Sequence, residues 1–247
     1  MIDVDLHTPV AVVTLGDCDR LASADIGYAQ QLRDAIRDSA DLDMVKAIVL
    51  RSAGADFFPS LSAGQRQAAQ RVRASQPRAW HAAFCAPTGL YQNLAFCKKF
   101  TLTEVAGLCA GPGSMLVLCS DHTVCADDAR FEAPFADLPE SNMVLAMLTL
   151  RLNRAKGWVL GDDAWDAAQA QADGLVNRVT TRQGLADAAI EAAHAAARMP
   201  LDGVAMTKLL LEAFLDTQGV GQEFDMAPLY ADSLRLAELD DAREAAR

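Results

Sequence analysis

Short apolar runs alternate with longer helical patterns along most of the chain. Five runs predict β-strands: residues 10–15, 45–50, 100–108, 122–126 and 175–179. The first two runs are separated by a helical pattern, and this order predicts parallel pairing through a right-handed crossover. We therefore expect an α/β protein.

Two of the intervening segments have helical periodicity. Residues 23–40 place Leu32 and Ile36 on one apolar face, and either Ser23 or Asp25 is a candidate N-cap. The second segment lies further along the chain, before the last predicted strand.

This second predicted helix spans residues 162–174. Asp162 or Asp163 is expected to cap its N-terminus, because a carboxylate there accepts from unpaired backbone N–H groups. Gly174 is expected to end it, since glycine is favoured just past the last turn of a helix.

From Gln183 onward the pattern is helical throughout. This change predicts an α/β core over residues 1–182 and a C-terminal helical region over residues 183–247. The helical region either packs on its own core or lies on another subunit. We expect it to build a homotrimer or hexamer through an apolar stripe: Leu209, Leu210, Phe214, Leu229, Leu234 and Leu236.

Composition and charge narrow the range of partners. A net charge of −11 argues against non-specific binding to nucleic acid or to an anionic membrane. No apolar window of about 18 residues predicts a membrane span. The N-terminus has no secretory pattern, so a cytoplasmic location is expected. The six cysteines and four histidines match no metal-ligand spacing, so we expect reduced, mostly buried thiols and no metal.

Two loop-like stretches carry the candidate chemistry. GADFFPSLSAG (54–64) follows a predicted strand, and AGPGSMLVL (110–118) has the glycines of a tight turn that opens a buried helix. One backbone N–H from each stretch would form an oxyanion hole. Pro112 has no N–H, although proline is also well suited to the first turn of a helix.

Four segments occur in a characteristic order: VAVVTLGDCDRLASADIGYAQQLRDAI, VKAIVLRSAGADFF, EVAGLCAGPGSMLVLCSDHTVCADDARFEAP and DAAQAQADGLVNRV. Together they resemble the crotonase superfamily, also called the enoyl-CoA hydratase/isomerase family, over roughly residues 10 to 215. The resemblance implies an α/β crotonase (ClpP-like) fold, a spiral of β-β-α units with a C-terminal helical region that builds trimers.

The resemblance also implies a ligand and a chemistry. The family binds acyl thioesters of CoA or of an acyl carrier protein, and the CoA moiety belongs to the substrate, so no separate cofactor is expected. Two backbone N–H groups hold the thioester oxygen while an enolate forms. By this resemblance the first donor falls on Leu61. The second falls on Pro112, which cannot donate, and Gly113 offers the nearest substitute N–H.

The carboxylates of the family pattern are missing here. Met115 and Phe135 occupy the two positions at which hydratases carry glutamates, and Met143 occupies a position used by a branch of isomerases. With Pro112, these residues predict a dry substrate pocket in a divergent member that lacks the usual catalytic glutamates.

Other carboxylates remain as weak candidates for acid/base work. Asp137 and Glu140 lie in the adjacent loop, and Glu104 lies in an apolar strand, where it should be paired or protonated. Asp121 holds a family position that is usually structural. His81 and His122 stand alone in the sequence and are expected to be structural or at the surface, as is usual for lone histidines.

Four arginines follow the first loop, in a region that borders the CoA nucleotide in the family. Arg66 and Arg71 are candidate phosphate ligands, with Arg73 and Arg78 close by. A solvated helix face explains the same cluster, and Lys98 and Lys99 carry the same two interpretations.

Three functions fit these observations. The first is a hydratase or isomerase, a lyase- or isomerase-type enzyme with altered acid/base residues. The second is a decarboxylase like those of polyketide β-branching, some of which also lack the glutamates. Such a reaction needs enolate stabilisation and a proton donor but no base. The third is a non-catalytic thioester-binding or scaffold protein, which the proline at position 112 favours.

Overall fold

The computed structural model describes residues 1–135, 138–161, 164–233 and 236. The strands are β1 (Ile2–His7), β2 (Val10–Leu15), β3 (Ala47–Ser52), β4 (Phe100–Val105), β5 (Leu108–Cys109), β6 (His122–Ala126), β7 (Arg130–Phe131), β8 (Trp165–Asp166) and β9 (Arg178–Thr180).

The helices are α1 (Cys18–Ala22), α2 (Ile26–Asp41), α3 (Ala63–Ser75), α4 (Pro77–Phe84), α5 (Leu90–Ala95), α6 (Pro112–Cys119), α7 (Met143–Thr149), α8 (Leu152–Leu160), α9 (Ala167–Asp173), α10 (Leu185–Ala197), α11 (Leu201–Thr217) and α12 (Val220–Asp225). Residues 227–233 are helical as well.

The strands form two sheets. Six strands pair in the order β1-β2-β3-β4-β6-β9, and β5, β7 and β8 form a smaller sheet. Within the large sheet β1 is antiparallel to β2, and the other neighbours are parallel. The predicted parallel pairing of the first two apolar runs, now β2 and β3 with α2 between them, is confirmed. So is the α/β class.

The inner strands β2 and β3 are buried on both faces of the large sheet, which explains why they are continuous apolar runs, whereas the edge strand β1 is mostly exposed. On β2, Val10 and Val12 face one apolar cluster, whereas Val13 and Leu15 belong to the main core. The first cluster is closed by α10, whose Ala189 is fully buried. The first helix of the predicted C-terminal region therefore covers the sheet of its own chain.

One predicted strand is in fact two. The run at 100–108 breaks after Val105, and β4 and β5 join different sheets. Gly107 lies between them with φ +59°, a conformation that residues with side chains rarely adopt. The last strand is also displaced: β9 begins at Arg178, because the backbone N–H groups of Leu175 and Val176 donate to the carbonyl of Ala170.

The helix caps are confirmed in part. Asp25 caps α2 by accepting from the N–H of Tyr28 at 3.0 Å. Asp162 and Asp163, the predicted caps of the next helix, lie outside the described residues. That helix, α9, begins only at Ala167, and its N-cap is Asp166, because the chain first pairs in β8. Gly174 follows its last residue, as predicted.

Apolar side chains near the end of the described chain are buried in α12 but exposed on α11. Phe224 of α12 is fully buried and stacks on Tyr91 with 6.2 Å between ring centroids. In contrast, α11 exposes five large apolar side chains: Met206, Leu209, Leu210, Leu211 and Phe214. Of the predicted stripe, Leu229 and Leu236 are also exposed, and Leu234 lies outside the described residues.

The cysteines are all free thiols, as predicted. Five are buried, and Cys18 is half-buried. Across residues 1–135, 138–161 and 164–233, no group of three His, Cys, Asp or Glu side chains is placed to hold a metal ion. In the same part of the chain, no helix is both long enough and apolar enough to cross a membrane.

Candidate active site

The first loop of the site leaves β3 and returns along the segment before α6. Phe57 donates its N–H to the carbonyl of Ala106 at 2.8 Å, and the N–H of Phe58 donates to Leu108 at 2.9 Å. The next residues then cross to α3, which begins with a capping box between Ser62 and Gln65. The loop is thus held at both ends, with Leu61 directly before the cap.

Leu61 lies against the turn that opens α6. A side-chain carbon on Gly111 would come within 3.3 Å of Leu61 Cδ1, so the two predicted oxyanion loops touch. Among the described residues, the N–H of Leu61 has no hydrogen-bond acceptor. The structure therefore brings together the two segments that the sequence singled out, and it leaves one backbone donor open.

The second donor is absent from the turn. Gly111, at φ +48°, is the N-cap of α6, and Pro112 is its first residue. The N–H of Gly113, the expected substitute donor, donates in this conformation to the carbonyl of Ala110 at 2.9 Å. Its Cα also packs on Phe58, where an added side-chain carbon would lie 2.6 Å from Phe58 Cβ.

Apolar side chains occupy the three positions at which the sequence analysis expected the family's carboxylates. Met115 is fully buried in α6, and Pro112 is buried beside it. Phe135 is half-buried and meets the edge of Trp158, with 6.4 Å between ring centroids. Met143 is half-buried at the first position of α7. None of these side chains can carry a proton.

Glu140, a predicted acid/base candidate, forms a buried ion pair with Arg73. Both of its carboxylate oxygens accept from Arg73 Nη2 at 2.9 Å, and one also accepts from Trp80 Nε1 at 3.2 Å. The Glu140 side chain is 1% exposed and that of Arg73 is 8% exposed. This carboxylate holds α3 and α4 to the loop before α7. Asp137, the other loop candidate, lies outside the described residues.

Glu104 is paired, as the sequence analysis expected. It lies opposite Arg51 on the neighbouring strand, and Arg51 Nη2 donates to its carboxylate at 2.6 Å. Burial raises the pKa of Glu104, and the charge of Arg51 acts in the opposite direction. The pair is a feature of the sheet between β3 and β4.

The remaining single candidates have structural partners. Asp121 accepts from the N–H of Thr101 at 2.8 Å and pairs with Lys208 of α11. His122 packs on the ring of Phe100, and burial lowers its pKa. His81 is half-buried, with Nε2 at 3.7 Å from an oxygen of Asp225.

The four arginines do not form one basic patch. Arg73 is withdrawn into its pair with Glu140, which corrects its place in the predicted cluster. Arg66 Nη1 donates to the carbonyl of Leu61 at 2.7 Å, so this side chain braces the first loop. Arg71 and Arg78 are exposed.

Arg71 and Arg73 line a cavity of about 290 Å³ beside α3, whose wall also includes Trp80 and Pro139. The two lysines are separate from the arginines. Lys98 pairs with Asp41, whereas Lys99 donates to a backbone carbonyl, and burial lowers its pKa.

Glu132 is a residue that the sequence analysis missed. Its carboxylate accepts from Ser60 Oγ at 2.8 Å, one residue before Leu61. Its backbone carbonyl accepts from Ser114 Oγ at 2.7 Å, and its N–H donates to Cys109 at 2.9 Å. The sequence offered one signal for this residue: Glu132 lies in FEAP (131–134), directly before the position expected for the family's second glutamate.

The fold and the candidate site together have one arrangement: a mostly parallel sheet and a turn that opens a helix, with this turn in contact with a loop that offers a backbone donor. The sequence model of the family described as enoyl-CoA hydratase/isomerase matches residues 6–229. The chain belongs to this family, within the crotonase superfamily.

Individual relatives agree with this assignment. The chain is 27% identical over 218 residues to a 1,2-epoxyphenylacetyl-CoA isomerase of Escherichia coli, covering 85% of this chain and 82% of that protein. It is 28% identical over 193 residues to a carnitinyl-CoA dehydratase of Citrobacter koseri, covering 76% and 71%.

Solved structures show the same fold. An enoyl-CoA hydratase/isomerase from Xanthobacter autotrophicus Py2 is 26% identical with a TM-score of 0.72, over 92% of this chain and 84% of that chain. A probable enoyl-CoA hydratase from Mycobacterium thermoresistibile has a TM-score of 0.73 at 22% identity, over 94% and 96%. The predicted crotonase fold is confirmed.

Proposed function

We propose that this protein is an enzyme that processes an acyl thioester through an enolate. The observation that carries the proposal is the contact between the Leu61 loop and the Gly111 turn, with the N–H of Leu61 available to donate to a thioester oxygen. Charge develops on that oxygen as an enolate forms, and a fixed donor there lowers the barrier. The family's general activity on acyl-CoA compounds supports the same assignment.

The missing carboxylates favour particular reactions within this class. Hydration needs a base for water and an acid for the α-carbon, and Met115 and Phe135 supply neither. Isomerisation by one displaced carboxylate remains compatible with the site. Decarboxylation is the second candidate, because an apolar pocket around Phe135 suits a reaction that needs no base. A non-catalytic thioester-binding role would follow from Pro112 alone.

Binding of acyl-CoA is expected to depend on the arginines that follow the loop. Arg71 is exposed and lines the cavity beside α3, and Arg66 donates to the carbonyl of Leu61. Replacing both with Ala is expected to weaken the binding of butyryl-CoA by about tenfold or more, since each charged contact contributes about 1.5–3 kcal/mol. Isothermal titration of both proteins measures the effect.

The matched control is Arg198→Ala, which removes an exposed arginine at the end of α10. No binding by the native protein, or equal loss in the control, removes the CoA assignment, and the same titration with acyl-carrier protein then tests the other carrier. Release of CO₂ from malonyl-CoA by the native protein would favour a decarboxylase. Binding of thioesters without any turnover would favour a non-catalytic binding or scaffold protein.

We also propose a trimer or hexamer. The exposed row on α11 supports this, with Leu210 69% and Phe214 50% exposed, since contiguous apolar patches on a protein surface mark interaction sites. Sedimentation at micromolar concentration is expected to give a trimer or larger, and Leu210→Glu is expected to shift it towards monomer. A native protein that sediments only as monomer contradicts the proposal.

Three further expectations stay predictions: a cytoplasmic location, no cofactor beyond the CoA moiety, and no nucleic-acid or membrane partner. The charge of −11 supports the last of these.

A further inference from the structure

Glu132 is attached to both loops of the candidate site. Its backbone joins the Gly111 turn through Cys109 and Ser114, and its side chain reaches the Leu61 loop through Ser60 Oγ. Three atoms of one residue, its backbone N, its backbone O and Oε1, are therefore fixed relative to the place where a thioester carbonyl would lie. A carboxylate held in this way is oriented in advance, which is what efficient proton transfer requires.

The carboxylate of Glu132 also differs from those of Glu104 and Glu140 in its ionic partners. Glu104 is neutralised by Arg51 and Glu140 by Arg73. In the described part of the chain, no Lys, Arg or His lies within 4.0 Å of the Glu132 carboxylate, which accepts instead from the neutral hydroxyl of Ser60. The side chain is half-buried and lies beside Ser60 of the Leu61 loop. A carboxylate without a cationic partner remains available as a base.

We propose that Glu132 is the catalytic carboxylate that moves the substrate proton, and that Ser60 is its positioning residue. This inference rests on the proposed function. The carboxylate removes a proton from the α-carbon of the thioester, and the C–H electron pair moves into the enolate. The negative charge then lies on the oxygen that faces the N–H of Leu61.

The proton returns from Glu132 without any further reactant. Delivery to the γ-carbon of a 3-enoyl thioester shifts the double bond and gives the conjugated 2-enoyl thioester. If the proton on the Glu132 carboxyl is first replaced by one from solvent water, delivery back to the α-carbon places a solvent hydrogen there. Both outcomes need one carboxylate only, so the substrate class is a thioester with an acidic α C–H bond, and a 3-enoyl-CoA is the direct probe.

The test is Glu132→Gln, which keeps the size of the side chain and an acceptor for Ser60. With 3-butenoyl-CoA in D₂O, we expect the formation of 2-enoyl product and the uptake of deuterium to fall by about 10²–10⁴-fold. The affinity for butyryl-CoA should be unchanged. Ser60→Ala should lower the rate by about tenfold or less, because one neutral hydrogen bond is lost. Glu191→Gln, an exposed carboxylate on α10, is the control and should keep the native rate.

The outcomes separate this inference from the proposed function. Native binding and turnover with a large loss only in Glu132→Gln support both. Native turnover that survives in Glu132→Gln, or native binding with no isomerisation and no deuterium uptake, overturns the role of Glu132 and leaves thioester binding intact. Absence of native binding to either CoA or carrier-protein thioesters overturns both. If Glu132→Gln does not fold, Glu132→Asp and Ser60→Ala decide by the same readouts, and a native rate in both overturns the proposal.

Discussion

Arg73→Met is expected to lower the free energy of unfolding by about 3–5 kcal/mol, the usual effect of removing one partner of a buried ion pair. Glu140 would be left at 1% exposure without its ionic partner, and the Trp80 N–H would remain as its hydrogen-bond donor. The loss exceeds the value of the pair itself, because it includes the cost of an uncompensated buried charge. Chemical denaturation followed by circular dichroism measures it.

Two matched variants make this expectation specific. Arg71→Met, two residues away on the exposed side of α3, should change the free energy of unfolding by no more than about 0.5 kcal/mol. The double replacement of Arg73 and Glu140 by Met should recover most of the loss, since apolar groups of similar size pack where the pair was. Equal effects of Arg73→Met and Arg71→Met would show that the pair carries no such role.

The sheet could be predicted from the sequence because its signals are local. The runs that became β2 and β3 are apolar on both sides, as a sheet covered on two faces requires. Asp25 indicates the start of α2, and Pro112 indicates the start of α6. Both signals come from residues at the end of the helix itself.

Helix α3 was missed for a physical reason. It is polar over most of its length and buries only Ala69 and Arg73, so it has no apolar stripe to recognise. A local signal did exist, since Ser62 and Gln65 have the spacing of a capping box.

The candidate site was predictable only in its position. The family blocks located Leu61 and Pro112, and the structure confirms that these segments meet. The partner of Glu140 was not predictable, because Arg73 is 67 positions away along the chain. The contact between Ser60 and Glu132 spans 72 positions and depends in the same way on the fold. The hydrogen bond that occupies the Gly113 N–H depends on the exact shape of the turn.

Hydration of crotonyl-CoA is expected to be slower than that of an ordinary family hydratase by about 10²–10⁴-fold or more. Positioned acid/base groups contribute about 10²–10⁴-fold, and one oxyanion donor about 10²–10³-fold. Met115 and Phe135 transfer no proton, and Pro112 donates no hydrogen bond. These losses need not multiply, because residues that act as a unit are not additive. Glu132 supplies at most one of the two proton-transfer groups that hydration requires.

The central claim is that the protein has a thioester site with altered proton chemistry. Its most direct test is the steady-state hydration of crotonyl-CoA, monitored through the loss of enoyl absorbance. The preparation used should be one whose binding of butyryl-CoA has been shown by titration. The account predicts binding together with a hydration rate about 10²–10⁴-fold or more below that of an ordinary family hydratase. Turnover on the order of 10 per second or more, the ordinary range of enzymes, would contradict it. Single Ala replacements of Glu104, Glu132, Asp137 and Glu140 would then identify the carboxylate responsible.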